Sequence, residues 1–233
     1  MYKITAIIPI KHESTRVPGK NFRVMNGKPL FFWIINTLLQ VEQINDIVID
    51  TNSPIIFEKV PILFKENMHK ITLYNRPKHL WPGDTATNDL LMNVINDLKL
   101  DSDYYLQTHV TNPLLKKETI TNSINKFLLK KDYYESLFSV KTHHTRFYNV
   151  TGEDMNHNRF HLIPTQDLDP IYEENSCIYI FSKEVLEKYK ARIGKNALLF
   201  PMSDIESQDI DWENDFLITT ELMKVFYLNE KSI

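Results

Sequence analysis

The run Ile4-Thr-Ala-Ile-Ile-Pro-Ile10 constrains this chain more than any other segment. It is short, apolar and rich in β-branched residues, the pattern of a strand buried on both faces of a parallel sheet. A parallel neighbour requires a crossover, and one follows. Pro29 opens a helix in which Leu30, Trp33, Ile34, Leu38 and Val41 recur at helical spacing, and a proline is tolerated there because the first turn has no use for its missing N–H. Asp46–Asp50 then reads as a second strand, which completes a βαβ unit.

The alternation continues with strands expected at 71–75, 104–107, 136–140 and 177–181, helices at 86–98, 116–129 and 183–189, and a last amphipathic helix from Glu213. This predicts an α/β fold with a doubly wound, mostly parallel sheet, Rossmann-like in outline. At roughly 100–200 residues per domain, 1–233 is expected to be a single domain. Residues 143–170 interrupt the pattern: they are polar and irregular and hold His143, His144, His157 and His161. They read as an inserted lobe.

Composition excludes several functions. Lys+Arg 27 against Asp+Glu 30 leaves a formal charge of −3, so bulk charge asks for neither nucleic acid nor an anionic membrane. No apolar run approaches the roughly 18 residues of a membrane span. The opening MYKITAIIPIKHE turns charged too early for a signal peptide, and the one cysteine, Cys177, fits a reducing compartment, so the expected location is the cytoplasm. With only 5 glycines the chain contains neither G-x-G-x-x-G nor G-x-x-x-x-G-K-[ST].

Chemistry concentrates after the first strand, in Lys11-His-Glu-Ser-Thr-Arg-Val-Pro-Gly-Lys-Asn21. Ligands of open α/β sheets bind outside the carboxyl ends of strands, where this loop lies. Lys11, Arg16 and Lys20 supply cations, and Ser14 with backbone amides can donate to phosphate oxygens, so a polyanion could be held without a glycine-rich cradle. A solvated basic loop is the alternative. Near the other end, Asp209 and Asp211 alternate with Ile210 and on an extended chain share a face, which suits Mg²⁺, usually held by one or two carboxylates plus substrate phosphates. An acid-rich helix N-terminus is the alternative there.

The loop resembles the signature of the cytidylyltransferases that activate ulosonic acids, apolar-Pro-Ala-Arg-x-x-Ser-x-x-x-Pro-x-Lys-Asn. Its Ser-Thr-Arg-x-Pro-Gly-Lys portion is similar to the Kdo branch. Lys20-Asn21 followed by Met25-Asn-Gly-Lys-Pro-Leu30 is similar to the acylneuraminate branch. Lys11 stands where that family has arginine, keeping charge but losing bidentate geometry. The resemblance recurs at Arg76-Pro77 with Asp84-Thr-Ala-Thr87, at Leu106-Gln-Thr-His-Val-Thr-Asn-Pro-Leu114 with two extra residues, at Asn175-Ser-Cys-Ile-Tyr-Ile180, and at Gln208-Asp-Ile-Asp-Trp-Glu-Asn-Asp215.

The resemblance implies transfer of CMP from CTP to the anomeric hydroxyl of an acidic, sialic-acid-like sugar, with Mg²⁺ on Asp209 and Asp211 and a homodimer completed by the lobe. It implies nucleotide contacts from Asn21, Arg76, Thr87 and Gln107, and acceptor contacts from Gln107, Gln166 and Asn175. Sialic-acid members place arginines where this chain has Thr165 and Glu173, which leaves Lys141 and Arg146 as the nearest cations for an acceptor carboxylate. His143-His144 would border that pocket. Two alternatives stay open: a nucleotidyltransferase with a sugar-phosphate or phosphonate acceptor, and a non-catalytic nucleotide-binding protein. His157 and His161 lack the glutamate of H-E-x-x-H, and Phe31, Phe32 and Trp33 are expected in the core.

Overall fold

The computed structural model describes residues 2–230, so Met1 and residues 231–233 of the expected domain lie outside the described residues. Strand β1 (Ile4–Ile10) sits in the middle of a seven-stranded sheet, with all but one of its residues buried. Its alternate side chains serve opposite layers. Ile4, Ala6, Ile8 and Ile10 pack with Phe31, Ile34 and Leu38 of α1 (Leu30–Leu39), Ile56 and Val60 of α2 (Pro54–Leu63), and Ile120, Ile124 and Phe127 of α4 (Lys117–Lys130). Ile7 faces the other way, toward Leu91, Val94 and Ile95 of α3 (Thr87–Asp97) and Leu186 of α5 (Lys183–Tyr189). Helices therefore cover both faces, as a fully apolar central strand requires.

The first half-sheet runs outward from β1 to β4 (Asp46–Thr51) and β5 (Ile71–Asn75), all parallel. The chain then crosses back to place β6 (Tyr104–Gln107) parallel on the other side of β1. Beyond β6 come β8 (Ile171–Phe181), β7 (Ser136–His143) and the edge strand β9 (Ala197–Met202). Only β8 runs against the rest, pairing antiparallel with both β6 and β7. The expected doubly wound, mostly parallel sheet is what the chain forms.

The expected strands at 71–75 and 104–107 and the helix at 183–189 match residue for residue. β7 and β8 extend past their expected ends as an antiparallel ribbon, and segment 144–170 joins them at its tip. Three elements escape the sequence pattern. Helix α2 carries Pro61 inside it, which reads as a breaker, and buries only Ile56 and Val60. Strand β9 contains Pro201, which an edge strand tolerates because one side needs no donor. Strands β2 (Val24–Met25) and β3 (Lys28–Pro29) form a minimal hairpin whose Asn26 and Gly27 both take the left-handed φ of a two-residue turn, 47° and 80°.

That hairpin is a docking platform. Helix α6 (Glu213–Glu230) seats Phe216 and Met223 against Met25, Leu30, Trp33 and Leu114, together with the buried Ile210. Arg23 clamps Glu213 bidentately at 2.6 and 2.7 Å and lies 3.9 Å from the Phe216 ring centroid. The C-terminal helix is thereby fixed beside the first loop of the chain.

Under the sheet's carboxyl edge, Arg76 just past β5 donates Nε to Asp50 Oδ1 at 3.0 Å and Nη2 to the Asp50 carbonyl at 3.0 Å, with both side chains 1% exposed. Burial pushes the Asp50 carboxyl up and the Arg76 guanidinium pulls it back. Removing one partner of such a pair strands a buried charge. Asp50→Ala is therefore expected to cost about 3–5 kcal/mol in urea unfolding, and a loss below about 1 kcal/mol would mean that Arg76 finds water or another anion.

Candidate active site

Chain order reverses at β1, between β4 on one side and β6 on the other, and ligands of open α/β sheets bind at the carboxyl ends beside such a switch point. A cavity of about 750 Å³ opens there. Its wall includes Lys11, Ser14, Arg16, Lys20, Asn21, Arg76, Thr87, Asp209 and Asp211, so the two ends of the sequence that carry the expected chemistry meet in one place.

The loop after β1 is braced rather than loose. Asn21 Nδ2 donates to the Lys11 carbonyl at 2.8 Å, closing the loop on itself, and His12 N donates to Asn52 Oδ1 at 2.8 Å. Gly19 takes a left-handed φ of 64° before a 3₁₀ turn at Lys20–Phe22, and both Lys20 and Asn21 are buried there. Lys11 reaches across the cavity mouth, where its Nζ donates to the Gly83 carbonyl at 2.8 Å.

Lys20 meets the C-terminal segment. Its Nζ donates to the Ile210 carbonyl and lies 3.9 Å from Asp211, while Arg16 Nη2 pairs with Asp211 Oδ1 at 2.6 Å. Ile210 N donates to the Thr111 carbonyl at 3.1 Å, and the Ile210 side chain is fully buried. Ile210 is thus held at N, O and side chain, and its neighbours Asp209 and Asp211 both line the cavity, as their alternation predicts. Burial lowers the Lys20 ammonium, against the pull of Asp209 and Asp211. Burial and then the adjacent Asp211 charge raise the Asp209 carboxyl, partly offset by a hydrogen bond to Thr111 and by Lys20. Asp209 Oδ1 is buried without a hydrogen-bond partner.

The opposite wall comes from β6 and β8. A bulge in β8 against β7 turns Ser176 into the cavity with a left-handed φ of 58° and leaves Asn175 inside, accepting from Ser139 Oγ at 2.6 Å and donating to Ser207 Oγ at 2.9 Å. Bulges beside active sites commonly re-aim a side chain in this way. His109 and Thr111 follow β6 into the same wall. Desolvation, with Arg192 and Lys20 nearby, pushes His109 down to about 3, so the imidazole is neutral.

Four residues expected at the site do not line the cavity. Gln107 is fully buried and occupied by Arg192, Thr108 and His109. Asn175 belongs to the bulge core described above. Arg146 donates to the Ile163 carbonyl at 2.7 Å within segment 144–170, and Gln166 is exposed on that segment. Lys141 sits 3.6 Å from Asp204, and Glu173 pairs with His143 at 2.6 Å. Conversely, Asn52, Trp81, His109, Thr111 and Ser176 line the cavity without having been singled out in the sequence. Asn52 and His109 lie just past strand ends, and that position is the signal that could have found them.

The model of the Cytidylyltransferase family matches residues 5–231. The chain belongs to the cytidylyltransferase family. It is 30% identical to the CMP-N,N'-diacetyllegionaminic acid synthase of Legionella pneumophila, over 99% of each chain. It is 24% identical to an N-acylneuraminate cytidylyltransferase of Streptococcus agalactiae over 92% of this chain, and spans about half (52%) of that relative. Among solved structures, a CMP:2-keto-3-deoxy-manno-octonic acid synthetase complexed with CTP superimposes with a TM-score of 0.65 at 14% identity, covering 95% of this chain and 98% of that one. A 4-diphosphocytidyl-2C-methyl-D-erythritol synthase from Anaerococcus prevotii superimposes at 0.68 and 12% identity over 96% of each chain.

The buried Asp209 Oδ1, without a hydrogen-bond partner and on a carboxylate beside Asp211, is a local cost to the fold. Its amide isostere removes that charge, so Asp209→Asn is expected to stabilise the ligand-free chain by about 0.5–2 kcal/mol in chelator-treated buffer, as active-site replacements often do. Urea unfolding that finds the variant less stable than the wild type would show that the carboxylate is satisfied after all.

Proposed function

We propose that this cytidylyltransferase transfers CMP from CTP to the anomeric hydroxyl of an ulosonic, sialic-acid-like acid in the cytoplasm, releasing pyrophosphate. The observation that carries the reading is the meeting of Lys11, Arg16 and Lys20 with Asp209 and Asp211 in one cavity at the switch point. In the reaction the acceptor hydroxyl oxygen bonds to the α-phosphorus and gives up its proton to water, the bond from that phosphorus to the α–β bridging oxygen breaks, and pyrophosphate leaves with both electrons of the broken bond. Little covalent help is needed from the protein; alignment and charge neutralisation do most of the catalysis.

Lys11, Arg16 and Lys20 would bind the triphosphate, with Ser14 donating to it. Ligand-free, Arg16 and Lys20 lean on Asp211, and the triphosphate would give them a stronger anionic partner. Arg76, locked by Asp50, is a rigid cation in the cavity wall, and Asn21 and Thr87, which line the same cavity, would contact the nucleoside.

Mg²⁺ fits Asp209 and Asp211. The Asp209 Oδ1 without a hydrogen-bond partner is a hard oxygen donor, and with Asp211 it would form the pair of carboxylates that substrate phosphates complete around such an ion. Bound there, Mg²⁺ would supply neutralisation of phosphate charge.

The functional unit we propose is a homodimer. Segment 144–170 exposes Val150, Met155, Phe160 and Leu162, with Phe160 92% exposed, and it keeps Arg146 and Gln166 away from the cavity of its own chain. A second copy covering this apolar surface would bring those residues toward the acceptor side of its partner. No helix among the described residues is long and apolar enough to cross a membrane.

The assay is pyrophosphate release from each NTP with N,N'-diacetyllegionaminic and N-acetylneuraminic acids. Lys20→Ala should slow CTP turnover by about 10²–10³, and Asp211→Asn should abolish Mg²⁺-dependent turnover with circular dichroism unchanged. Near wild-type rates in either variant would remove that residue from the mechanism. Sedimentation should give a dimer that Phe160→Asp converts to monomer, and a monomeric wild type would leave the exposed lobe without its proposed partner.

A further inference from the structure

Resting on the reading above, a chain of hydrogen bonds behind the wall formed by β6 and β8 has a consequence for how the sugar is recognised. Arg192 follows α5, where its backbone N–H donates to Asn88 Oδ1 at 3.2 Å. Its guanidinium stacks 3.6 Å from the Tyr179 ring centroid and donates Nη1 to Gln107 Oε1 at 2.7 Å. An arginine only donates, so the oxygen of the Gln107 amide must face it. The other end of the amide faces the Thr108 carbonyl at 3.0 Å and His109 Nε2 at 2.9 Å. A carbonyl only accepts, so the amide orientation is fixed twice over, with NH₂ toward His109.

The amide therefore donates to His109 Nε2, which must carry a lone pair, and the imidazole proton resides on Nδ1. Nδ1 makes no hydrogen bond among the described residues and is not among the buried atoms left without a partner, so it opens toward the cavity that His109 lines. Arg192 and Lys20 are the charges that act most on His109, Arg192 itself lying 3.7 Å from Glu174. We propose that His109, with its proton fixed on Nδ1 by Gln107 and Arg192, is the donor that reads the carboxylate of the acidic acceptor. Gln107 and Arg192 are positioning residues. A neutral donor would then take the place of the cations missing at Thr165 and Glu173.

The test has a spectroscopic and a kinetic arm. Long-range ¹H–¹⁵N correlation on histidine-labelled, ligand-free protein, with the His109 signals assigned by their loss in His109→Asn, should report the Nδ1–H tautomer in wild type and the Nε2–H tautomer in Gln107→Glu. A glutamate there keeps its bond from Arg192 but has no proton to give His109. With N,N'-diacetyllegionaminic acid, His109→Ala and Gln107→Glu should each raise the acceptor KM about 10–100-fold while the CTP KM stays within about twofold, the loss expected for one hydrogen bond to a charged group. His109→Asn, whose amide nitrogen stands near the place of Nδ1, should recover most of the acceptor KM, whereas His109→Gln should not. An Nε2–H tautomer in the wild type, or a parallel rise in both KM values, overturns the assignment of His109. Absence of pyrophosphate release from CTP with every acid overturns instead the function on which it rests, and the tautomer measurement still decides the hydrogen-bond chain.

Discussion

The site depends on one contact, the Lys20 ammonium on the Ile210 carbonyl, made across 190 residues of sequence. A buried cation is unfavourable unless anions and acceptors surround it. Lys20 answers this by fastening the loop after β1 to the segment entering α6, with Asp209 and Asp211 on either side. The same contact sets the two carboxylates. With Ile210 held through its N–H, its carbonyl and its buried side chain, the flanking aspartates have little choice of direction. The apolar docking of Phe216 and Met223 on the β2–β3 hairpin serves the same end, because it fixes the start of α6 beside the loop.

Charge in this arrangement is unevenly matched. Arg16 and Lys20 share Asp211, Asp209 keeps an oxygen without a partner, and Asn21 Oδ1 is likewise buried and unpaired. Unsatisfied groups of this kind are uncommon in native structures, and these two both belong to residues that line the cavity. A triphosphate would draw off the cations and a divalent ion would take up the carboxylates, relieving both mismatches together. The Asp50–Arg76 pair stands apart from that exchange, since the Asp50 carboxylate and carbonyl already hold Arg76 through Nε and Nη2.

Most of the scaffold was legible in the sequence because it rests on local rules. Apolar β-branched runs, helical spacing and the position of loops at strand ends yielded β1, β4, β5 and β6 with the helices between them. The alternation of Asp209 and Asp211 about Ile210 gave their shared face. What stayed illegible depends on contacts between distant segments. Helix α2 and strand β9 contain prolines whose tolerance is a matter of tertiary position. His109 has no pattern of its own; it matters because Gln107 and Arg192, 85 residues apart, meet behind it. Resemblance alone suggested Gln107 and Asn175 as contacts, and in the ligand-free chain both spend their polar atoms on neighbours inside the wall.

Those two glutamine and asparagine side chains also explain why the two halves of the cavity differ in character. Along the loop after β1 the groups that line the cavity are the ones its sequence resemblance singles out, and the loop is braced at Asn21 and Gly19. On the opposite wall the segment after β6 carries two residues more than the pattern it resembles, and His109 stands within that stretch. The longer loop lets an imidazole occupy the wall in front of Gln107, so the amide works through His109 rather than on the sugar directly. A glutamine exposed to the cavity could rotate to offer either its oxygen or its nitrogen. Pinned by Arg192 and the Thr108 carbonyl it cannot, and the imidazole it orients presents a donor only. Specificity for an anionic group follows from that single fixed polarity more than from net charge.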